Sequence, residues 1–441
     1  MKNKSNRLAA HMLIAMVAGI AAGIGLMILR ENVGADSNLW LAINRIFFQD
    51  ITAEGAENAI GLFYIGGQLF VKSLQLVIVP MVFTSIVMAI GAISDASTLG
   101  RISVKTIGWF LCTSIIALVL AGAVGLGLYR AGVFSVTVEN VAASTGSTGA
   151  NPLNVILNII PSNMIATFGV NTGVLSVIFI AIVIGLGIKD KGKDSVIYRF
   201  CEEASDVIVK FLNFVVSKVG PIAIFMLLSR TFATYGIHYL RSAMAYVIVT
   251  VALLLAYLFI VYPLIVALTT KKNPFIYIKK IFKVIVFGFS TSSSAATLPL
   301  NLDTNTKELG VDNQIASFVL PFGMTINMDG TAIMQVVATL FLAAVGGYEI
   351  GIGQLVLIMV LALIASVGTP ASPGAGAVIL FTILAGAGIT GDAVMMGYTL
   401  ILAINRPIEM LVTSLNCVGD SLTSIAVAKS EGKLDEDIFN S

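Results

Sequence analysis

Hydrophobic residues in this chain run together rather than alternating with polar ones. Apolar stretches of the length that crosses a hydrocarbon core, roughly 20 residues, recur at about 8–30, 57–92, 103–129, 152–188, 204–232 and 240–269. They predict six membrane helices. Beyond residue 270 the pattern changes. The stretch 281–300 is apolar at both ends but reads STSSSAAT in its middle, with KKIFK before it and DTNTKELG after it. Two half-length arms joined by a Ser-rich tip describe a re-entrant hairpin that enters and leaves from the cytoplasm. Ile315–Val345 follows, interrupted by NMDGT at Asn327–Thr331; a second hairpin at about 352–390 has the tip GTPASPGAG. A last helix, about 395–428, is interrupted by NCVGD at Asn416–Asp420. The order hairpin, broken helix, hairpin, broken helix, entered from opposite faces, is an inverted repeat. The expected fold is therefore an all-α polytopic membrane protein with eight transmembrane helices and two opposed re-entrant hairpins.

Composition agrees. Of 441 residues 57% are hydrophobic and only 11% charged, whereas a soluble domain carries about a quarter charged residues. Lys and Arg set sidedness, and they cluster at Lys2–Arg7, Arg101–Lys105, Lys189–Lys193, Lys271–Lys283 and Lys429–Lys433. The connections near Asp36–Leu39 and Val138–Ala150 are poor in them. With both termini cytoplasmic, every basic cluster falls on one face. Leu13–Leu29 after Lys2, Lys4 and Arg7 has the outline of a signal peptide, but no small-residue cleavage site follows, so a retained helix is expected. A net charge of +2 is too small to suggest nucleic acid. Cys112, Cys201 and Cys417 lack metal spacing, and no disulfide is expected.

Irregular backbone at membrane depth survives only where it lines a cavity or is buried in protein. Paired interrupted segments are the sequence mark of a transporter's binding site near the midplane. Asp329 and Asp420 each lie inside a broken apolar helix, where an acid costs roughly 2.5–3.5 kcal/mol. Each follows an Asn, as Asn327-Met-Asp329 and Asn416-Cys-Val-Gly-Asp420. Carboxylate, amide and freed backbone oxygens are hard donors, suited to Na⁺. Helix capping explains one such residue; the repeated combination favours cation binding. An intramembrane hydrolase fits less well. Ser290 in GFSTS would want a general base, yet the two histidines, His11 and His238, lie near predicted membrane borders. An aspartate dyad shares a proton, whereas here each acid sits beside amides. A passive channel rarely needs two opposed hairpins. No nucleotide-binding motif is present, so an ion gradient is the expected energy source.

Together NMDGT, TSSSAATLP, GTPASPGAGA, NCVGD…AVAK, VIVPMVFTSIV at Val77–Val87 and GRISVKT at Gly100–Thr106 resemble the glutamate transporter family of dicarboxylate/amino acid:cation symporters, over nearly the whole chain. The resemblance implies a homotrimer in a plasma membrane, bacterial inner membrane by expectation, whose subunits work as elevators. It implies scaffold helices 1–2 in 1–100, a transport-domain helix 3 in 101–135, scaffold helices 4–5 in 136–235, the rest of the transport domain in 236–428, and a cytoplasmic tail at 429–441. Three Na⁺ sites are implied. One uses Gly323, Asn327, Asn416 and Asp420; a second uses Thr325 with Ser366, Val367 and Thr369; a third uses Thr113, Ser114, Asn327 and Asp329. The implied substrate site comprises Ser293, Ser294, Thr331, Gly374, Glu409, Val412, Thr413 and Asn416.

That site departs from the family's acidic amino-acid carriers, which present an Asp for the substrate ammonium and an Arg three residues later for the side-chain carboxylate. Here the positions hold Glu409 and Val412, and Ser292 stands where some prokaryotic members carry an arginine on the inner hairpin. Arg406 precedes Glu409 by three residues, nearly a turn away and out of register, with Pro407 bending the stretch. A buried carboxylate without its guanidinium would cost several kcal/mol. The expected substrate is thus a neutral amino acid with a small or apolar side chain, co-transported with Na⁺; an acidic amino acid or C4-dicarboxylate is the alternative.

Overall fold

In an apolar run every N–H and C=O must find a partner within its own segment, so these stretches become helices. The computed structural model describes residues 2–53, 55–91, 99–134, 159–169, 174–188, 190–235, 238–367, 369 and 374–440. Among them the one extended pairing is an isolated bridge between Val311 and Leu434. Helix α1 (Lys2–Val33) is followed by the short α2 (Asn38–Ile43), α3 (Leu62–Leu76), α4 (Ile78–Gly91), the long α5 (Leu99–Arg130), α6 (Met164–Phe168) and α7 (Val174–Gly187). Then α8 (Val196–Phe214) passes through a wide turn at Val215–Val219 into α9 (Gly220–Tyr235), and α10 (His238–Ala256) through Tyr257–Val261 into α11 (Tyr262–Thr270). The remainder is α12 (Pro274–Thr291), α13 (Ser294–Lys307), α14 (Asn313–Ile326), α15 (Asp329–Val345), α16 (Ile352–Val367), α17 (Ala375–Gly386), α18 (Asp392–Ile404), α19 (Arg406–Ser430) and α20 (Glu436–Asn440). Seven helical spans among the described residues are long and apolar enough to cross a membrane. Of the expected helix at 152–188, residues 152–158 lie outside the described ones, as does the Val138–Ala150 connection.

The helices pack in two groups. Helix α1 lies along α9, which also holds α3, while α4 packs against α7 and α8. Gly19 and Gly23 let α1 approach closely, since a Cβ at Gly23 would fall 2.6 Å from Phe232 Cβ; small residues four apart serve helix contact in membranes. In the second group α15 is surrounded by α5, α10, α16, α17, α18 and α19. Every residue of α15 except Ala344 is buried. A helix that is hydrophobic on all sides belongs at the centre, and the polar exceptions on it make the site.

Both turns of the expected hairpins are partly visible. Helices α12 and α13 pack together, joined at Ser292, whose φ of 48° is left-handed. Ser293 then caps α13, its Oγ accepting from Ala296 N at 3.3 Å, as N-cap serines do. Helices α16 and α17 also pack together. Of their tip, Gly368 and residues 370–373 lie outside the described residues, while Gly374 has φ +87°.

The first expected break is present, with Asn327 extended between α14 and α15. The second is elsewhere. Residues Asn416–Asp420 run unbroken within α19, and the interruption falls at Asn405, between α18 and α19. Pro407 explains the shift, because its missing N–H suits the first turn of a new helix and not the middle of an old one. Buried on nearly all sides, α19 keeps its helical form through Val418 and Gly419.

Residues 429–440, expected as a tail, are docked. Lys280 Nζ donates to the carbonyls of Glu308, Ile438 and Phe439 at 2.8, 2.7 and 3.0 Å, and the Phe439 side chain is fully buried. Glu431 takes Arg101 and Lys105, each at 2.5 Å; Glu436 takes Lys272 and Lys429. Three of the basic clusters thus meet at one end. Hydrogen bonds and charge from Arg101 and Lys105 hold the Glu431 carboxyl down at about 2, against an ordinary 4.5, and Lys272 and Lys429 do the same for Glu436. A carboxyl lowered by docking stabilises the docked form above its undocked value and loses that contribution as pH falls through its docked value. Docking should therefore weaken between about pH 4.5 and pH 2. Amide exchange across 433–440, corrected for intrinsic rate, should speed up from pH 6 to pH 3. Equal protection at both pH values would mean that the charges do not hold the segment.

Candidate cation and substrate site

Two carboxylates set the chemistry. Asp329 opens α15 and is fully buried; Asp420 lies mid-way along α19 and is 3% exposed. Neither has a basic partner among the ion pairs of the described residues. Ser114 Oγ donates to Asp329 Oδ1 at 2.5 Å and Tyr262 Oη donates to its Oδ2 at 2.8 Å. Asn327 Nδ2 donates to Asp420 Oδ1 at 3.1 Å, while Asn327 Oδ1 is buried with no donor among the described residues. An orphaned acceptor beside unpaired buried carboxylates is costly. Charge, hard oxygens and an unused amide carbonyl fit a small hard cation. No group of three or more His, Cys, Asp or Glu assembles among the described residues, so a transition-metal site of that kind is not what these oxygens build.

Glycines bring the oxygens together. A Cβ at Gly323 would lie 2.4 Å from Asp420 Oδ1, and one at Gly419 would lie 2.4 Å from Tyr262 Oη and 2.6 Å from Asn327 Nδ2. Only a residue without a side chain fits at either place. Thr113 completes this side, its carbonyl accepting from Tyr257 Oη at 2.6 Å.

A second polar cluster adjoins the first. Gly330 N–H donates to Asn416 Oδ1 at 2.9 Å, and Asn416 Nδ2 approaches Thr331 Oγ1 at 3.3 Å and Met328 Sδ at 3.1 Å. A Cβ at Gly330 would meet Val412 O at 3.0 Å, so α15 begins directly on the backbone of α19. Thr413 Oγ1 donates to Glu409 O at 2.9 Å. Glu409 and Arg406 are both buried, with Arg406 Nη1 3.6 Å from Glu409 Oε2. Among the described residues Arg406 Nε and Nη1 have no hydrogen-bond partner. Arg406 stands three residues before Glu409, out of register with Val412 as expected, and that spacing puts it on one face of α19 with Glu409. From the hairpin α16–α17, Gly376 O accepts from Gln335 Nε2 at 3.1 Å, and the Gly374 backbone faces Val216 of the first helix group.

The family model described as "Sodium:dicarboxylate symporter family" matches residues 8–430. The chain belongs to this family. It is 27% identical to the proton/glutamate-aspartate symporter of Escherichia coli (strain K12), over 99% of this chain and 95% of the relative. It is 28% identical to the proton/sodium-glutamate symport protein of Bacillus caldotenax, over 84% and 88%. With the C4-dicarboxylate transport protein 3 of Bradyrhizobium diazoefficiens it shares 29% identity over 85% and 84%. This sodium:dicarboxylate symporter family member is therefore a cation-coupled, multi-pass membrane carrier and not an enzyme.

Of the expected cation ligands, the structure joins Ser114 to Asp329 and Asn327 to Asp420, and sets Gly323 against Asp420. Thr325 lies in α14, but its side chain is outside the described residues. Ser366 Oγ donates to Leu363 O at 2.9 Å and Thr369 Oγ1 to Ala365 O at 2.9 Å, next to Val367 at the end of α16. No hydrogen bond links this trio to Thr325 among the described residues. Ser293 serves as a cap and Ser294 is buried at the start of α13. Sequence reasoning missed Tyr262 and Gly419. A tyrosine amid YPLIVAL, with nothing polar near it in sequence, was the available signal, since a buried phenol needs a partner. It also missed the ladder in which Asn301 Nδ2 donates to Cys417 O at 2.9 Å and Ser421 Oγ donates to Asn305 Oδ1 at 3.0 Å, tying α13 to α19.

Gly323→Ala forces Asp420 aside, so the Na⁺ concentration for half-maximal uptake should rise roughly tenfold or more, about 1.4 kcal/mol. Asp329→Asn and Asp420→Asn should do the same while assembly, checked by sizing in detergent, is kept. Parent-like Na⁺ titrations in all three would leave the two acids with a capping role only.

Proposed function

We propose that the chain is a Na⁺-coupled symporter of an acidic substrate, an acidic amino acid or a C4-dicarboxylate, in a plasma membrane. The observation that carries the coupling is the pair of buried, unpaired carboxylates at Asp329 and Asp420 beside the orphaned Asn327 carbonyl. The substrate class has different support. The relatives are named for glutamate, aspartate and C4-dicarboxylates. The neutral amino acid expected from Val412 has no counterpart in those names, and its argument set the nearby Arg406 aside as out of register. The hairpin Ser293–Ser294, Thr331, Asn416 and Gly374 remain the candidate contacts for the substrate.

In this reading α12–α13 and α16–α17 are the re-entrant hairpins, and α5 with α10–α19 move as one body against α1, α3, α4 and α7–α9 in a trimer. The support is that each group packs mainly within itself. Cytoplasmic termini have the support of the basic clusters that meet beside residues 429–440. Three cation sites make energetic sense for an acidic cargo. One Na⁺ only cancels a net charge of −1, so the membrane potential contributes nothing and a tenfold gradient leaves about 1.4 kcal/mol. Each further Na⁺ adds that amount plus roughly 2.3 kcal/mol per 100 mV.

Purified protein in liposomes, given labelled aspartate, glutamate, succinate, serine and alanine, separates the parts. An inward Na⁺ gradient should drive accumulation of at least one acid, and more strongly with an inside-negative potential. Uptake of serine or alanine with the acids ignored would overturn the substrate class. Accumulation driven equally by a proton gradient without Na⁺ would overturn the coupling ion.

A further inference from the structure

We propose that Arg406 is the specificity-determining residue of this carrier, receiving the side-chain carboxylate of an acidic amino acid while Glu409 receives its ammonium. The inference rests on the acidic-substrate reading and goes beyond it by naming the residues and choosing between the two acid classes.

Arg406 is 8% exposed, and among the described residues two of its three guanidinium nitrogens have no hydrogen-bond partner. Its contact with Glu409, 3.6 Å from Nη1 to Oε2, is longer than a hydrogen bond. Buried guanidinium donors are seldom left idle, because their desolvation is then uncompensated. A purely structural ion pair would have closed up. The unused donors instead suit an acceptor that arrives with a ligand. Position supports this. Arg406, Glu409, Thr413, Asn416 and Asp420 follow one another at spacings of three and four along α19, which sets them on one face. Arg406 and Glu409 also line, with Gly374 and Ala377 of the second hairpin, a cavity of about 30 Å³. That space holds about one water, so a carboxylate enters only when the hairpin start moves aside. The other walls, Phe70, Leu74 and Val216, are apolar and exclude water from the charges.

Charge counting then selects the substrate. An acidic amino acid brings two carboxylates and one ammonium. Its side-chain carboxylate pairs with Arg406, its ammonium with Glu409, and its α-carboxylate falls to the serine-rich hairpin and Asn416. A C4-dicarboxylate brings no ammonium and leaves Glu409 as an uncompensated buried anion beside two more. The pair therefore favours aspartate or glutamate over succinate.

The test is inhibition of Na⁺-driven uptake by aspartate, glutamate, succinate and asparagine, in the parent and in Arg406→Gln and Arg406→Lys. In the parent, aspartate or glutamate should inhibit at lower concentration than succinate. Arg406→Gln should raise the concentration of the acid needed by roughly 10- to 100-fold, the range for a lost charged hydrogen bond, with little change for asparagine. Arg406→Lys should fall between, because it keeps the charge without the planar fork. Na⁺-induced thermal stabilisation of each purified variant reports an intact cation site. Should Arg406→Gln fail to accumulate, the aspartate-to-asparagine ratio in Arg406→Lys decides alone. A parent blind to all acids refutes the acidic-substrate reading itself. A parent that recognises acids, with variants that weaken aspartate and asparagine equally, leaves that reading standing and refutes the role of Arg406. Succinate ahead of both amino acids refutes the role of Glu409.

Discussion

Everything near the centre of this protein depends on two carboxylates that have been taken out of water without a basic side chain to meet them. Asp329 and Asp420 sit on the two most enclosed helices, α15 and α19. Removing an ion from water costs several kcal/mol even after the surroundings relax. Here Ser114, Tyr262 and Asn327 return part of that cost. What they leave is a strong local demand for positive charge, and a mobile cation can meet it where a fixed lysine would make the site permanent. The remaining architecture serves that demand. Glycines at 323, 330 and 419 remove side chains where oxygens must converge, and the break at Asn327 frees backbone that a continuous helix would consume.

The surrounding polar network is graded in the same way. Close to the acids, hydroxyls and amides are engaged, so the carboxylates are oriented before any ion arrives. Further out, the ladder of Asn301, Asn305 and Ser421 fixes the inner hairpin arm α13 to α19. At the end of α19, Glu431 and Glu436 bind basic residues from α5 and from the α11–α12 connection. Each layer is held by charge or hydrogen bonds between residues far apart in sequence.

How much of this could be read beforehand follows from what kind of signal each feature leaves. Asp329, Asp420, Asn327 and Asn416 were legible because polar residues in apolar runs are conspicuous and expensive. Ser114 and Gly323 came only with the family resemblance; serine in a helix back-bonds too often to be diagnostic. The second break was placed at Asn416–Asp420 because the polar NCVGD interrupts an apolar run. Burial on all sides overrode that signal, and proline decided the matter at Asn405–Pro407. Docking of 429–440 left no local trace, because its lysines and glutamates look like any solvated tail until the fold supplies their partners. The substrate expectation rested on positions 412 and 292, which hold no arginine, and set Arg406 aside as out of register, whereas the names of the relatives favour the acidic alternative.

In the proposed reading, the coupling of cation to cargo rests on this geometry. Asn327 stands at the end of α14 and bonds Asp420; one residue on, Met328 lies against Asn416, whose carbonyl holds the Gly330 amide. The start of α15 is therefore shared between the carboxylate cluster and the cluster that includes Thr331 and Asn416. A cation drawing in the Asn327 carbonyl must act on the same few residues that position Asn416. Two ligands that favour one arrangement of a shared element strengthen each other's binding by equal factors, whichever arrives first. No long pathway is needed when the two clusters meet at a three-residue break. A helix that continued through 327–329 would keep the carboxylates and lose the hinge, and with it the physical link that makes an ion gradient useful for moving a second solute.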